Sequence, residues 1–325
     1  AVPLLADFLP ENIISLTEIS GSRMLLLDKY VMNAFKRIEK VEAFKEFYNF
    51  CGLFNLVDFS TEYDCNESLT DASAYVNEEY GKRFPNGVTP ADVNYAREGE
   101  EALNALAVIS YTSGTSSSPK GVMLPARSLS GNVEIAHKLV PVAVKEGGNT
   151  LSILPFAHIF GLTCDVIEPL CLGMHLTILG LPPIPPYLRP ALSEVNPSIF
   201  LSVPLILSKM IESTIGEFIS SEEGKAKLEN YKENREYCDS LRHLFVSAFG
   251  KNCTLIATGG AAIPSELEEL LVTKLQAPFV TGYGMTECAP VICIGHKDKY
   301  KQKSCGEVIT ECVEARINSV DPEHI

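Results

Sequence analysis

At 325 residues, with 46% hydrophobic and 21% charged residues, the chain is long enough for about two domains or one large α/β unit, and its composition excludes disorder. A formal net charge of −14 excludes broad nucleic-acid binding, because no basic stripe offsets a phosphate backbone; any phosphate must be held locally. Ten cysteines, spread without a CxxC pair or zinc-ligand spacing, exclude a disulfide scaffold and predict reduced, mostly buried thiols in a cytosolic protein, as in "EPLCLGM" and "PVICIG".

The start, "AVPLLADFLPENI", has no basic region followed by a long apolar core and is not read as a signal peptide; it also has no initiating methionine, as in a piece of a longer chain. Short apolar runs then alternate with helical patterning: "RMLLLD", "NLVDF", "LAVISY", "TLSILP", "HLTIL", "SIFLSV", "CTLIAT" and "APFVTG". That alternation predicts α/β layers with a largely parallel, buried sheet. The stretch 151–186 is interrupted by Asp165, Glu168, Gly173 and several prolines, which excludes a single membrane-spanning helix. "GLPPIPPYLRP" predicts a stiff turn leading into a helix, and the charged segment 212–252 a solvated helical excursion.

The connection after "LAVISY" is "SYTSGTSSSPKGVML", 110–124, whose hydroxyls, two glycines and lysine suit an anion such as a phosphate chain. It is not a Walker A loop, because Ser118 and Pro119 precede Lys120 and Gly121 follows it. A flexible Ser/Gly connection is the alternative on this segment alone. Further on, "TLIATGGAAIPSELEELL" reads as strand, glycine turn and a helix opened by Pro264 with Ser265 and Glu266 in its first turn. Gly259, Gly260, Ala261 and Ala262 then fall where ligands approach strand ends in open α/β sheets. "TGYGMTECAP" adds an aromatic face, a hydroxyl and a carboxylate at Tyr283, Thr286 and Glu287, suited to a purine and to a phosphate-bridging magnesium ion.

Taken together, "YTSGTSSSPKGV", "PFAHIFG", "ATGGAAIP" and "GYGMTE" resemble, in order and spacing, the phosphate loop, acyl-site motif, adenine-side turn and Mg-ATP motif of the adenylate-forming superfamily. Within it, "PSIFLSVPLILSKM", the charged insertion after it and the apolar "FGLTCDVIEPLCLGMHLTIL" look most like long-chain fatty-acid–CoA ligases. The resemblance implies two stacked αβα-type lobes with largely parallel sheets, the core of the family's N-terminal domain truncated at both ends. By the same resemblance 1–140 form a first lobe with the phosphate loop at 111–121, 141–295 a second lobe with the acyl-site and adenine/Mg motifs, and 296–325 the start of a β-rich subdomain.

The roles carried over by resemblance are these. Thr112, Ser113, Gly114, Thr115, Ser116 and Lys120 would embrace the β- and γ-phosphates of ATP, with Thr112 near Mg2+. Gly260, Ala261, Gly282 and Tyr283 would enclose adenine, Thr286 would contact the α-phosphate and Glu287 would bind the metal. His158 would lie beside the reacting carboxylate, with a packed histidine at a helix start as the alternative. Ser116-Ser117 depart from the family's usual threonine-glycine and put loop closure in doubt, since serine lacks glycine's backbone freedom. The implied reaction joins ATP, a fatty acid and CoA through an acyl-adenylate. It implies a cytoplasmic protein, with room for peripheral membrane contact although no basic amphipathic anchor is visible. The family's ribose-binding aspartate, hinge and lysine-bearing C-terminal domain have no counterpart before Ile325, so this stretch alone is expected to be inactive. The alternatives are a non-catalytic nucleotide-binding or scaffold protein that keeps the fold, and a ligase for another class of carboxylic acid.

Overall fold

In the computed structural model, residues 1–5, 8–36, 50–56, 58, 60–64, 72–89, 99–112, 119–139, 147–296 and 299–316 are described. The chain divides into two compact units, 1–121 and 122–325.

The first unit contains β1 (Met24–Leu27), β2 (Gly52–Asn55) and β3 (Thr61–Asp64), with β1 parallel and β3 antiparallel to β2. The helices Pro10–Ile19 and Lys29–Lys36 supply Ile13, Val31 and Met32 to a core that Leu27, Phe50 and Leu53 complete. The strand expected at "NLVDF" lies earlier, because Leu53 and Phe54 are the buried residues of this run and Leu56 is exposed. β4 (Leu106–Thr112) and β5 (Lys120–Pro125) are built from the runs on either side of the hydroxyl-rich loop. At the start of β5, Gly121 is tightly packed: a Cβ there would lie 3.0 Å from Ile109 and 3.1 Å from Tyr111, and those side chains would have to give way.

The second unit is organised by a seven-stranded sheet made of β6 (Asn149–Ser152), β7 (His175–Ile178), β8 (Ile199–Ser202), β9 (Leu255–Thr258), β10 (Phe279–Gly284), β11 (Val291–Ile294) and β12 (Glu307–Val308). The strand order is β12-β11-β10-β9-β8-β6-β7. The β7-β6-β8-β9-β10 portion is parallel throughout, and β11 and β12 extend it as an antiparallel edge. The expected α/β class with a largely parallel sheet is what forms.

Alternation along the strands gives the sheet two unlike faces. Leu151, Phe200, Ile256 and Phe279 face a large core with the helices Pro185–Val195, Pro204–Ser220 and Arg235–Ser247. Ile199, Leu201, Leu255 and Ala257 face the other way, toward the helical stretch 159–171. The large core closes on Phe200, Phe245 and Phe249, all fully buried, with Phe249 centred 5.0 Å from each of the other two rings.

The proline cluster opens the helix Pro185–Val195 as expected, and the charged segment folds as the helices Glu222–Glu229 and Arg235–Ser247 with exposed i,i+3 and i,i+4 ion pairs. Among the described residues no helix is long and apolar enough to cross a membrane. Among the described residues no disulfide joins the cysteines, and their burial is mixed: Cys164, Cys238 and Cys253 are buried, whereas Cys171, Cys305 and Cys312 are exposed. Cys171 departs from the expectation because its apolar neighbours flank it in sequence but its own position on the helix Glu168–Cys171 turns outward.

Phe249→Ala should cost about 3–5 kcal/mol of stability, as for emptying an aromatic site in a closed core. Urea unfolding measures this, and a loss below about 1 kcal/mol would show that the aromatic cluster does not close the core.

Candidate functional site

From β6 the chain moves outward to β7 and then returns to the other side of β6 to form β8. In open parallel sheets such a reversal leaves a crevice beyond the carboxyl ends of the strands. Here that crevice is a cavity of about 430 Å³, within the range of small-molecule sites. It is bordered by His158 and Phe160 after β6, Val203 after β8, Gly259 and Gly260 after β9, and the stretch from Gly282 to Thr286 at the end of β10. Its floor is the apolar face of the sheet, with Ile199, Leu201, Leu255, Ala257 and Val280.

The segment after β6 is held by one carboxylate. Asp165, fully buried, receives at Oδ2 the Ser152 hydroxyl at 2.9 Å and the backbone N–H groups of Ile153 at 2.9 Å and Leu154 at 3.0 Å. Burial pushes its pKa up while these three donors draw it down, with burial the larger effect. The helical stretch carrying Asp165 runs from Ile159 to Cys171 and contains a π-turn at Thr163–Ile167. Gly161 lets this helix approach the preceding loop, because a Cβ there would collide with the Pro155 carbonyl. His158 is the N-cap of that helix, exposed at the cavity edge, with its backbone N–H on Pro155 O at 3.1 Å.

Six of the site candidates named from the sequence border this one cavity: His158, Gly259, Gly260, Gly282, Tyr283 and Thr286. Gly260 has φ +79°, a left-handed conformation that glycine adopts without strain. Ala261 continues the same turn, exposed. Tyr283 is 51% exposed, leaving its ring available to a planar ligand. Glu287 follows Thr286 in the 3-10 turn Thr286–Cys288 and is exposed. Thr112 ends β4, half-buried, and Lys120 begins β5, exposed; both belong to the unit 1–121. Ser113, Gly114, Thr115 and Ser116 lie outside the described residues.

Among the described residues no group of three or more His, Cys, Asp or Glu side chains could hold a metal by itself. The exposed carboxylate of Glu287 beside the cavity fits the different demand of Mg2+, which keeps several waters and takes one or two carboxylates together with substrate phosphates.

Sequence reasoning did not single out Asn132. This residue, 4% exposed on the helix Ala126–Leu139, donates through Nδ2 to Cys288 O at 3.1 Å and accepts at Oδ1 from Val291 N at 3.1 Å, fixing the turn that carries Thr286 and Glu287. Asp165 and Glu168 were noticed only as interruptions of an apolar run, which was the available signal. Glu168, at the cavity, accepts a weak 3.6 Å contact from the buried Cys164 thiol, and burial pushes its carboxyl up to about 8. The same burial, with the nearby Glu168 charge, pushes the Cys164 thiol well above its usual range.

A family model described as AMP-binding enzyme matches residues 1–324. The curated relatives include the long-chain-fatty-acid–CoA ligase ACSBG2 of Rattus norvegicus, 31% identical over 238 residues, covering 65% of this chain and 35% of the relative. A long-chain-fatty-acid–CoA ligase of Bacillus subtilis is 28% identical over 188 residues, covering 57% and 28%. The chain thus spans about a third of the length of the curated relatives it matches. Among solved structures, the anthranilate CoA ligase AuaEII in complex with anthranoyl-AMP superposes with a TM-score of 0.65 at 14% identity, covering 95% of this chain and 49% of that one. The N-terminal domain of FACL13 from Mycobacterium tuberculosis gives 0.60 at 18% identity, with 92% and 59% covered. These likenesses are to the fold.

The raised pKa of Glu168 has a consequence for stability. A carboxyl whose folded pKa lies above its unfolded value favours the folded state most below pH about 4.5, and that contribution is withdrawn as pH rises through about 8. Glu168→Gln cannot ionise, so its melting temperature should gain on that of the unchanged protein as pH rises from 5 to 9. Parallel thermal melts at each pH measure the difference, and a constant difference would mean that Glu168 ionises freely.

Proposed function

Because the chain belongs to the AMP-binding enzyme family, we propose that the whole protein is a fatty-acid–CoA ligase acting on long chains. In the proposed reaction the carboxylate attacks the α-phosphate of ATP to form acyl-AMP and release pyrophosphate. The thiol of CoA then attacks the acyl carbon, loses its proton and expels AMP. The observation that carries this reading is the shared cavity: it joins the loop bearing His158 to the turns at Gly259–Gly260 and Gly282–Thr286 over an apolar floor. One end therefore suits a nucleotide and the remainder an alkyl chain. The names of the curated relatives support the choice of a long-chain acid.

On this reading Gly260, Ala261, Gly282 and Tyr283 line the adenine side, where the absence of bulky side chains at the glycines lets the base approach the backbone. Thr286 donates its hydroxyl to the α-phosphate. His158, at the cavity edge, orients the incoming carboxylate and can donate a hydrogen bond to it. Thr112, Ser113, Gly114, Thr115, Ser116 and Lys120 take the β- and γ-phosphates, Lys120 as a point charge and the hydroxyls as directional donors. The central obstacle is that one anion must approach another, and fixed donors lower that barrier without reorganising. Glu287, with Thr112 as the second candidate contact, would hold Mg2+, which would supply further charge neutralisation. The apolar floor shields the acyl-adenylate from water.

The whole protein, given ATP, magnesium and saturated acids of graded length, should exchange labelled pyrophosphate into ATP most rapidly with long-chain acids. Exchange confined to aromatic acids would transfer the reading to an aryl-CoA ligase, and no exchange with any carboxylic acid would overturn it. Glu287→Gln should slow exchange by about 100-fold or more, as expected for loss of a charged contact to a transferring group. Near-normal exchange at saturating magnesium would remove Glu287 from the site.

A further inference from the structure

The sheet brings two threonines to the cavity, and they differ: the Thr258 hydroxyl is bonded to Ser202 O at 3.1 Å, whereas that of Thr150 is not satisfied. Thr150 belongs to β6 and lies on the cavity face, in register with Ile199 of β8. It is 1% exposed, and its hydroxyl oxygen has no hydrogen-bond partner. A buried hydroxyl without a partner costs folding free energy, so a native fold that keeps one calls for an explanation. The same cavity is bordered by Cys164 and Glu168, which contact each other from successive turns of the helical stretch 159–171. That stretch changes register through the π-turn Thr163–Ile167, a device that recurs at functional positions. Two independent elements, a strand and a helix, thus each bring a polar group to a wall that is mostly apolar.

We propose that Glu168 and Thr150 form a polar recess in the acyl part of the cavity that selects a carboxylic acid bearing a hydroxyl group partway along its chain. This rests on the acyl role given to the cavity above. A hydroxyl is the matching group because it both donates and accepts, as do a neutral carboxyl and the threonine hydroxyl. The Glu168 carboxyl, pushed up to about 8 by burial, is mostly neutral at physiological pH and can donate. A second carboxylate on the substrate would instead arrive as an anion in a low-dielectric wall and would be repelled whenever Glu168 ionises. Position along the chain follows from the helix: from Ile159, next to His158, to Glu168 the helical rise amounts to about 14 Å. An acid whose carboxylate sits by His158 and whose chain follows this helix therefore brings a mid-chain carbon level with Glu168. Unsubstituted acids would leave Thr150 unpaired and Glu168 with only its weak Cys164 contact, which is how a hydrogen-bonding pocket discriminates against analogues that lack the group.

The test compares palmitic acid, its mid-chain hydroxylated isomers and its terminally hydroxylated isomer on the whole protein. Isothermal titration reads binding, and pyrophosphate exchange is run beside it. At least one mid-chain isomer should bind about three- to tenfold more tightly than palmitic acid, the value of one or two buried hydrogen bonds. Glu168→Leu should abolish or reverse that preference, Glu168→Gln should retain part of it, and Thr150→Val should reduce it. Equal binding of all the acids, preference for the terminal isomer, a mid-chain preference that survives both Glu168→Leu and Thr150→Val, or binding of none would overturn the recess. A mid-chain preference in binding without exchange would leave the recess standing and remove the ligase reading. Exchange with palmitic acid and no preference would do the reverse.

Discussion

The three hydrogen bonds received by Asp165 Oδ2 are the constraint on which the second unit's site depends. β6 ends at Ser152, and the backbone there leaves the sheet with N–H groups that no neighbouring strand satisfies. A carboxylate lowered onto that end from the helix above accepts two of those groups and a hydroxyl at once. The loop Pro155–His158 must therefore start in one direction, and the helix must begin where Gly161 can pass the Pro155 carbonyl. An acidic side chain in an apolar run normally costs stability; here its three donors offset part of that cost, and the return is a fixed position for His158 relative to the strand ends.

That clip matters because the sheet divides labour between its faces. One carries the large aromatic and aliphatic core that supplies rigidity, and the other is left partly open as the floor of a cavity. A single register governs both, so a slip of one residue in β8 or β9 would exchange core side chains for cavity side chains. The reversal of strand order between β6 and β8 then places the open part beneath four separate chain segments rather than one.

Legibility in the sequence followed local chemistry. β1, β4 and β6 to β10 could be read because β-branched and leucine-rich runs stop at turn residues. β3, β5, β11 and β12 were not singled out, since "TEYD" is polar, "KGVMLP" looks like the tail of a loop, and antiparallel edge strands need no continuous apolar run. The glycine turn, Tyr283, Thr286 and His158 were legible because they sit in compact motifs. Asn132 was not, because its partners lie 156 and 159 residues away and an asparagine in a helix has no local signature for them. Thr150 was equally silent and Glu168 showed only as an interruption of an apolar run: their interest depends on facing the same cavity from different elements, which no spacing in the chain records.

The Asn132 bridge is built from an uncharged amide that donates on one side and accepts on the other. An ion pair in that position would weaken with salt and would respond to every charge brought near it, whereas a neutral bridge does neither to a comparable degree. Glu287 is thus mounted on a support that is electrically silent. Any charged group that approached this carboxylate would leave the bracket that aims it almost unaffected.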